Sequence, residues 1–386
     1  MSIDIYWRLP MHGCKGGFDS GRPNRGDWSP LQAGNLGPGV ASDGGNDGET
    51  FADHLADIAR AAEQSGFVGG LLVNFPGTDE PWTFAPALAR ETKTFRFMIA
   101  FQPGFLAPPH AARLSASLQR LSGGRLVYNI ITGGGGPQQL WWGDKVAHDD
   151  RYARTSEFLD VLKGVWKGAP YNFKGRFYQI ENGGLPAPLS ETAIPEIYFS
   201  GSSDAAIAAA GRHSDYYLSH LEPLESLKSK LDHVRERAAK EGRTAKFSLR
   251  FDILARPTPE EAWAEVARGW QTLSAEAVAK LNDLRGDSVG FRRQLAFRPA
   301  QITGYNDLHV DQQIGPGLWG GFSLFRGGPP IGVVGSYEQA AEWLDRYRSV
   351  GIDSFILAGT PHLEEAFRVG EEVLPLVRAR KQVLAA

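Results

Sequence analysis

The stretch Arg125–Gly136, RLVYNIITGGGG, limits what this chain can fold into more than any other. Leu126 to Ile131 is a dense, β-branched apolar run, with Gly123 and Gly124 just before it. Such a run reads as a strand covered on both faces, as in a parallel sheet. The four glycines after Thr132 leave a loop almost without side chains. That loop is either a flexible turn or a surface where a flat ligand meets the backbone closely. Ligands of α/β folds bind at the carboxyl ends of strands, where Thr132 offers a hydroxyl.

The same logic runs along the chain. Residues 3–9, IDIYWRL, alternate and predict a first strand. Residues 13–48 are loaded with Gly, Asn, Asp, Ser and Pro and predict a long irregular loop. Helical spacing over 50–65 precedes a strand at 67–73, a polar turn at 79–82 and a short helix at 83–91. Further strands are expected at 95–101, 126–131, 196–199, 216–219, 246–255 and 354–358. Helices are expected at 108–120, 151–167, 205–212, 222–241, after Pro257, at 336–350 and at 362–378. Residues 171–180 predict a small hairpin, and 282–330 a second irregular region. Eight strands, each followed by a helix, call for right-handed crossovers. They predict an α/β fold, a closed (β/α)8 TIM barrel, as one domain over 1–386 with insertions at 13–48 and 282–330.

Composition narrows the function classes. A net charge of −3 argues against a nucleic-acid or membrane-surface partner. No run approaches the length a membrane span needs, and the first residues lack the pattern of a signal peptide. The single cysteine, Cys14, excludes an internal disulfide and suits the cytoplasm. Ten tryptophans serve either aromatic ligand surfaces or core filling.

A barrel gathers its chemistry at the carboxyl rim. The polar residues there are His12, Asn74, Thr78, Gln102, Asn129, Thr132, His220, Arg250, Asp252, Thr360 and His362. The loop Ser200–Asp204 runs straight into a helix, so its N–H groups suit a phosphate, or its serines simply cap the helix. There is no G-x-x-x-x-G-K-[ST] loop, no G-x-G-x-x-G after a strand and no H-E-x-x-H. The run His148–Tyr152 therefore reads as a helix start that turns His148 and Tyr152 toward a ligand, with no metal. Arg250 lies on an apolar strand and needs an anionic partner, either Asp252 or an anionic substrate. Arg326 is either a second anion clamp or a solvated loop residue. No convincing carboxylate pair at the strand ends suggests a glycoside hydrolase.

Several stretches together resemble the bacterial luciferase-like flavin monooxygenases, most closely their alkanesulfonate monooxygenase branch. They are LPMHG at 9–13, RLSGGRLVYNIITG at 120–133, HDDRYARTSEF at 148–158, YFSGSSDAA at 198–206, FRGG at 325–328 and GIDSFILAGTPHLEEAFRVGE at 351–371. The resemblance spans nearly the whole chain. It implies a barrel using reduced FMN (FMNH2) supplied by an NAD(P)H-dependent flavin reductase. Oxygen would add at the flavin C4a carbon, and the resulting peroxide would oxidise the substrate. In the alkanesulfonate enzymes a carbon–sulfur bond is cleaved to give an aldehyde and sulfite.

Carried over by motif, Gly201, Ser202, Ser203 and Tyr152 would hold the FMN phosphate. Asn129, Thr132 and His148 would approach the flavin, and Arg250 and Arg326 would hold the substrate anion. His362 and His12 would be the active-site histidines. Thr78, His220, Asp252 and Thr360 stand where that branch has cysteine, tryptophan, histidine and tyrosine. The flavin half thus matches better than the substrate half. A homo-oligomer, dimer or tetramer, is expected. The rival expectations are an F420-dependent dehydrogenase or reductase on the same barrel, a monooxygenase of a non-sulfonate substrate, and a flavin-binding relative without catalysis.

Overall fold

The computed structural model describes residues 3–11, 51–75, 78–133, 137–270, 289–298, 312–324 and 329–378. Eight parallel strands close into a barrel: β1 (Asp4–Leu9), β2 (Gly69–Leu72), β3 (Arg96–Phe101), β4 (Leu126–Ile130), β5 (Ile197–Ser200), β6 (Tyr216–His220), β7 (Lys246–Arg256) and β8 (Ser354–Ala358). Each pairs with the next in chain order, and β8 pairs with β1 to complete the ring. Helices cover the outside. That double covering is why β4, LVYNI, carries apolar residues on both faces and is buried throughout.

Alternation along the strands fills the barrel in layers. Near the amino-terminal end the Tyr198 ring stacks on Tyr216 at 4.3 Å and meets Tyr6 edge-on at 6.0 Å. The Tyr198 hydroxyl donates to Ser354 Oγ at 3.5 Å. The three rings of this aromatic floor are buried. Two residues further along their strands, Arg8 and Arg250 turn into the same interior, and both are buried. The barrel therefore offers a polar chamber above an aromatic plug.

Several element boundaries differ from the expectation for local reasons. Glu80 accepts from the Trp82 N–H at 3.3 Å, so the second helix begins at Pro81 and Trp82 is helical, not part of a turn. The long helix starts at His148 rather than 151, since Asp149 and Asp150 favour its positive end. A short helix, Pro137–Trp141, follows the glycine run and was not expected. The hairpin is Tyr171–Lys174 with Gln179–Gly183, outside the barrel.

The second irregular region is partly regular. It contains the helix Val289–Leu295 and the strands Gln313–Gly315 and Leu318–Trp319. These strands join Gly332–Ser336, which pairs in parallel with Asp252–Arg256. The reason is the length of β7. Its eleven residues outrun the barrel, and the outer half seeds this second sheet. The expected loop at 13–48 lies outside the described residues.

The outer helices also bury a histidine. His213 ends the helix Asp204–His213, with Nε2 2.8 Å from Ser156 Oγ. A helix carboxyl end normally favours a charged imidazole. Here burial, and then Lys163, Arg212 and Arg243, push its pKa down to about 3. Between pH 6.5 and 3 the unfolded chain binds a proton that the native site refuses, so stability falls as pH falls through this window. His213→Gln should remove that part of the acid sensitivity, which amounts to about 1.4 kcal/mol per pH unit inside the window. Urea midpoints at pH 7 and pH 4.5 measure it, and parallel losses in both proteins would contradict it.

Candidate active site

One wall of the chamber is built by β4, β5 and the helices after them. Strand β5 ends at Ser200, and the chain turns through Gly201 with φ at +145°. A Cβ there would run into the Ala206 methyl and come within 3.0 Å of the Tyr152 hydroxyl, so only glycine fits. Ser203 then caps the helix, its Oγ accepting from the Ala206 N–H at 3.3 Å. Two phenols brace the turn. Tyr217 donates to the Gly201 carbonyl at 2.6 Å and has the Ser202 side chain beside it. Tyr152 has the Ser203 side chain as its partner. Burial raises the pKa of both phenols, so both stay neutral donors. Capping and anion binding are compatible here. One serine closes the helix while the turn's N–H groups and the phenols surround its positive end.

On the adjoining strand, Asn129 pairs with Tyr198 and faces inward. It is buried, and its Oδ1 lacks a hydrogen-bond donor. A buried unsatisfied amide carbonyl is costly and here points into the chamber. Thr132 is buried next to Thr155, their hydroxyls 3.4 Å apart. Gly133, with φ at +97°, continues the bare edge of the strand. An amide, a hydroxyl, a glycine edge and a helix-terminal anion seat form one wall, and those donor types fit a planar cofactor ending in a phosphate.

The opposite wall is cationic. Arg250 on β7 is level with His220 on β6 and Ile356 on β8. Its pKa is pushed down to about 10, with burial as the cause. Asp252 shares its face and is buried, but is not among the charges acting on Arg250. Arg8, which sequence reasoning passed over, is buried in the same chamber.

The remaining candidates are more peripheral. His148 opens its helix with Nδ1 2.7 Å from Asp149 Oδ1 and its ring 5.2 Å from Tyr152. The Thr78 hydroxyl is engaged locally, accepting from the Phe75 N–H at 3.0 Å and donating to its carbonyl at 2.9 Å. Thr360 precedes the cis peptide to Pro361 and is half-buried. His362 begins the last helix. Its ring lies edge-on to Trp7 at 6.3 Å, and the Trp7 indole donates to its carbonyl at 3.1 Å. His12 and Arg326 lie outside the described residues.

A second missed feature organises the rim. Buried Asp144 pairs with Arg154 Nη1 at 3.2 Å and Nη2 at 2.6 Å, holds Gln139 and accepts from the Val146 N–H at 3.1 Å. It ties the short helix after the glycine run to the long helix carrying Tyr152. An aspartate ten residues before an arginine in sequence gave no sign of this pairing.

A closed (β/α)8 barrel with a glycine–serine turn opening a helix after its fifth strand and a buried amide on its fourth has the architecture of an α/β-barrel enzyme. The chain belongs to the luciferase-like monooxygenase family, whose model matches residues 36–354. Solved structures share the fold. Riboflavin lyase, crystallised with modified FMN and riboflavin, is 21% identical at a TM-score of 0.71, covering 99% of this chain and 92% of that one. The EDTA monooxygenase of Chelativorans sp. BNC1 is 19% identical at a TM-score of 0.69, covering 99% and 95%. An F420-dependent secondary alcohol dehydrogenase, in complex with an F420–acetone adduct, is 17% identical at 0.65, covering 98% and 99%.

Proposed function

We propose that this chain is a two-component monooxygenase. It would bind reduced FMN delivered by a separate flavin reductase and oxidise a small organic anion, with an organosulfonate the leading substrate. The observation that carries the reading is the anion seat of Gly201, Ser202, Ser203 and Tyr152 beside the orphaned Asn129 carbonyl, in a member of the luciferase-like monooxygenase family. Reduced flavin supplies the two electrons that let oxygen be split between substrate and water. For a sulfonate, R–CH2–SO3⁻, oxygen and reduced FMN would give R–CHO, HSO3⁻, water and oxidised FMN. This balances in atoms and electrons.

The chain's own groups have separate tasks. The Gly201–Ser203 turn fixes the phosphate end. Asn129 Oδ1 accepts from an N–H of the flavin ring. Arg250 holds negative charge where it develops or arrives, in a chamber that excludes water and so strengthens the attraction. His362 and His12 are the candidate proton-transfer groups, Arg326 a second cation, and His148 and Thr132 further flavin contacts. Thr78, His220, Asp252 and Thr360 would shape the substrate end.

The test is anaerobic titration with photoreduced FMN followed by admission of air, with oxygen uptake and sulfite release measured over an organosulfonate panel. Binding of reduced FMN with substrate-dependent oxygen uptake supports the reading. Turnover of an alcohol with F420 under argon would replace it by the dehydrogenase reading. Flavin binding without any substrate oxidation would favour a relative that has lost catalysis.

Gly201→Ala tests the cofactor seat. The added methyl should force Ala206 and Tyr152 apart and weaken FMN binding by about tenfold or more, while riboflavin, which lacks the phosphate, is affected less. Equal effects on both ligands would refute the assignment of the phosphate to this turn.

A further inference from the structure

Strand β1 enters the barrel as Tyr6-Trp7-Arg8-Leu9, and alternation sends Tyr6 and Arg8 to one face. That face is the interior, since Tyr6 meets Tyr198 while Trp7 turns outward onto Phe67 at 5.2 Å. Arg8 is only 6% exposed. Arg250 reaches the same interior from β7. Strand β8 lies between them, and its Ile356 pairs with Tyr6 on one side and Arg250 on the other. Arg8 therefore stands one inward position nearer the carboxyl end than Arg250.

The two cations act on each other. Burial, and then the charge of Arg250, push the Arg8 pKa down to about 9, and among the described residues no carboxylate offsets this. Both groups still carry their charge at neutral pH. Among the described residues neither Nε has an acceptor. Asp252 faces inward from β7, yet it is not among the charges acting on either guanidinium. Taking two like charges out of water costs several kcal/mol per ion when, as among the described residues, no counter-charge faces them, so stability alone does not account for this pair. A guanidinium presents a planar fork of donors matched to oxyanions, and two forks converge on one chamber.

We propose that Arg8 and Arg250 form a paired guanidinium seat for a compact oxyanion on the substrate, a carboxylate, sulfonate or phosphonate, and that Arg8 sets the preference for anionic over neutral substrates. This deepens the proposed function, on which the identification of the ligand as substrate rests. Binding of the oxyanion itself does not depend on that function.

The experiment titrates butyrate, butanesulfonate, butylphosphonate and butan-1-ol into flavin-free protein, followed by calorimetry and melting temperature. The three anions should bind and raise the melting temperature, and butan-1-ol should do neither. Arg8→Met should weaken anion binding by about tenfold or more. Without ligand it should melt at the same or a higher temperature than the wild type, because an uncompensated buried charge is gone. Arg8→Lys keeps the charge but loses the fork and should fall between the two.

Equal anion affinity in Arg8→Met and wild type overturns the proposal. So does failure of all three anions to bind, or a lower melting point for ligand-free Arg8→Met, which would reveal a partner within the fold. Titrating reduced FMN into the same samples separates the two readings. Oxyanion binding without flavin binding removes the monooxygenase function and leaves the seat. Flavin binding with no effect of Arg8 on anions does the reverse.

Discussion

Arg250→Ala is expected to lower turnover by about 10²–10³-fold or more while leaving the affinity for reduced FMN nearly unchanged. The residue is buried on β7, level with His220 and Ile356, with only β6 between its strand and β5, which leads into the Gly201–Ser203 turn. On the proposed reading a cation there would meet the reacting end of the substrate rather than the cofactor phosphate. Arg250→Lys should recover part of the loss, since it restores charge without the bidentate geometry. Stopped-flow oxygen consumption with parallel flavin titration measures both quantities. Equal loss of flavin binding and turnover would sink the assignment and make Arg250 part of the cofactor seat.

Glu222→Ala should be the most destabilising single change outside the site, at about 3–5 kcal/mol. Glu222 lies two residues past β6 and is 1% exposed. Its carboxylate holds Lys230, accepts from Arg293 Nε at 3.0 Å and from Ser226 Oγ at 2.9 Å, and its carbonyl accepts from Tyr347 at 2.8 Å. Removing the carboxylate leaves the Lys230 ammonium, itself 8% exposed, with only the Ser219 hydroxyl at 3.0 Å. Burial already lowers the Lys230 pKa against the pull of Glu222, so the orphaned ammonium would tend to shed its proton. Glu222→Ala/Lys230→Met should regain most of the loss, because an apolar pair satisfies the same space without charge. Urea denaturation of the three proteins closes the cycle. A loss below about 1 kcal/mol, the range of exposed pairs, would show that solvent reaches this cluster. Arg293 belongs to the region after β7, so the same substitution also loosens that region's hold on the rim.

The barrel was legible because its signals are local. Each strand is a short apolar run, each helix a periodic one, and the register of β4 follows from glycines on either side of it. The glycine–serine turn after β5 was legible for the same reason. Gly201 to Ser203 are adjacent, and the helix that gives them meaning begins at the next residue. Element starts were less so. Whether Glu80 caps the second helix depends on the side chain reaching Trp82, which composition does not state.

Arg8 and Arg250 show the other side. Both are arginines in apolar strands, and the argument that singled out Arg250 applies equally to Arg8. Their separation by more than two hundred positions hid that they share one chamber. Asp252, two residues from Arg250 on one strand face, reads as a counter-ion, yet it is not among the groups that shift that guanidinium's pKa.

The sequence by itself therefore determined the eight-strand βα succession, the family to which the chain belongs and the glycine–serine turn that runs straight into a helix. Periodicity, caps and glycine positions are properties of neighbours along the chain. Only the tertiary structure decided that β7 outruns the barrel to seed a second sheet, that Glu222 anchors Arg293, and that Arg8 and Arg250 share one buried chamber. Barrel closure juxtaposes residues by strand register, and the cost of a buried charge exists only once water has been excluded around it.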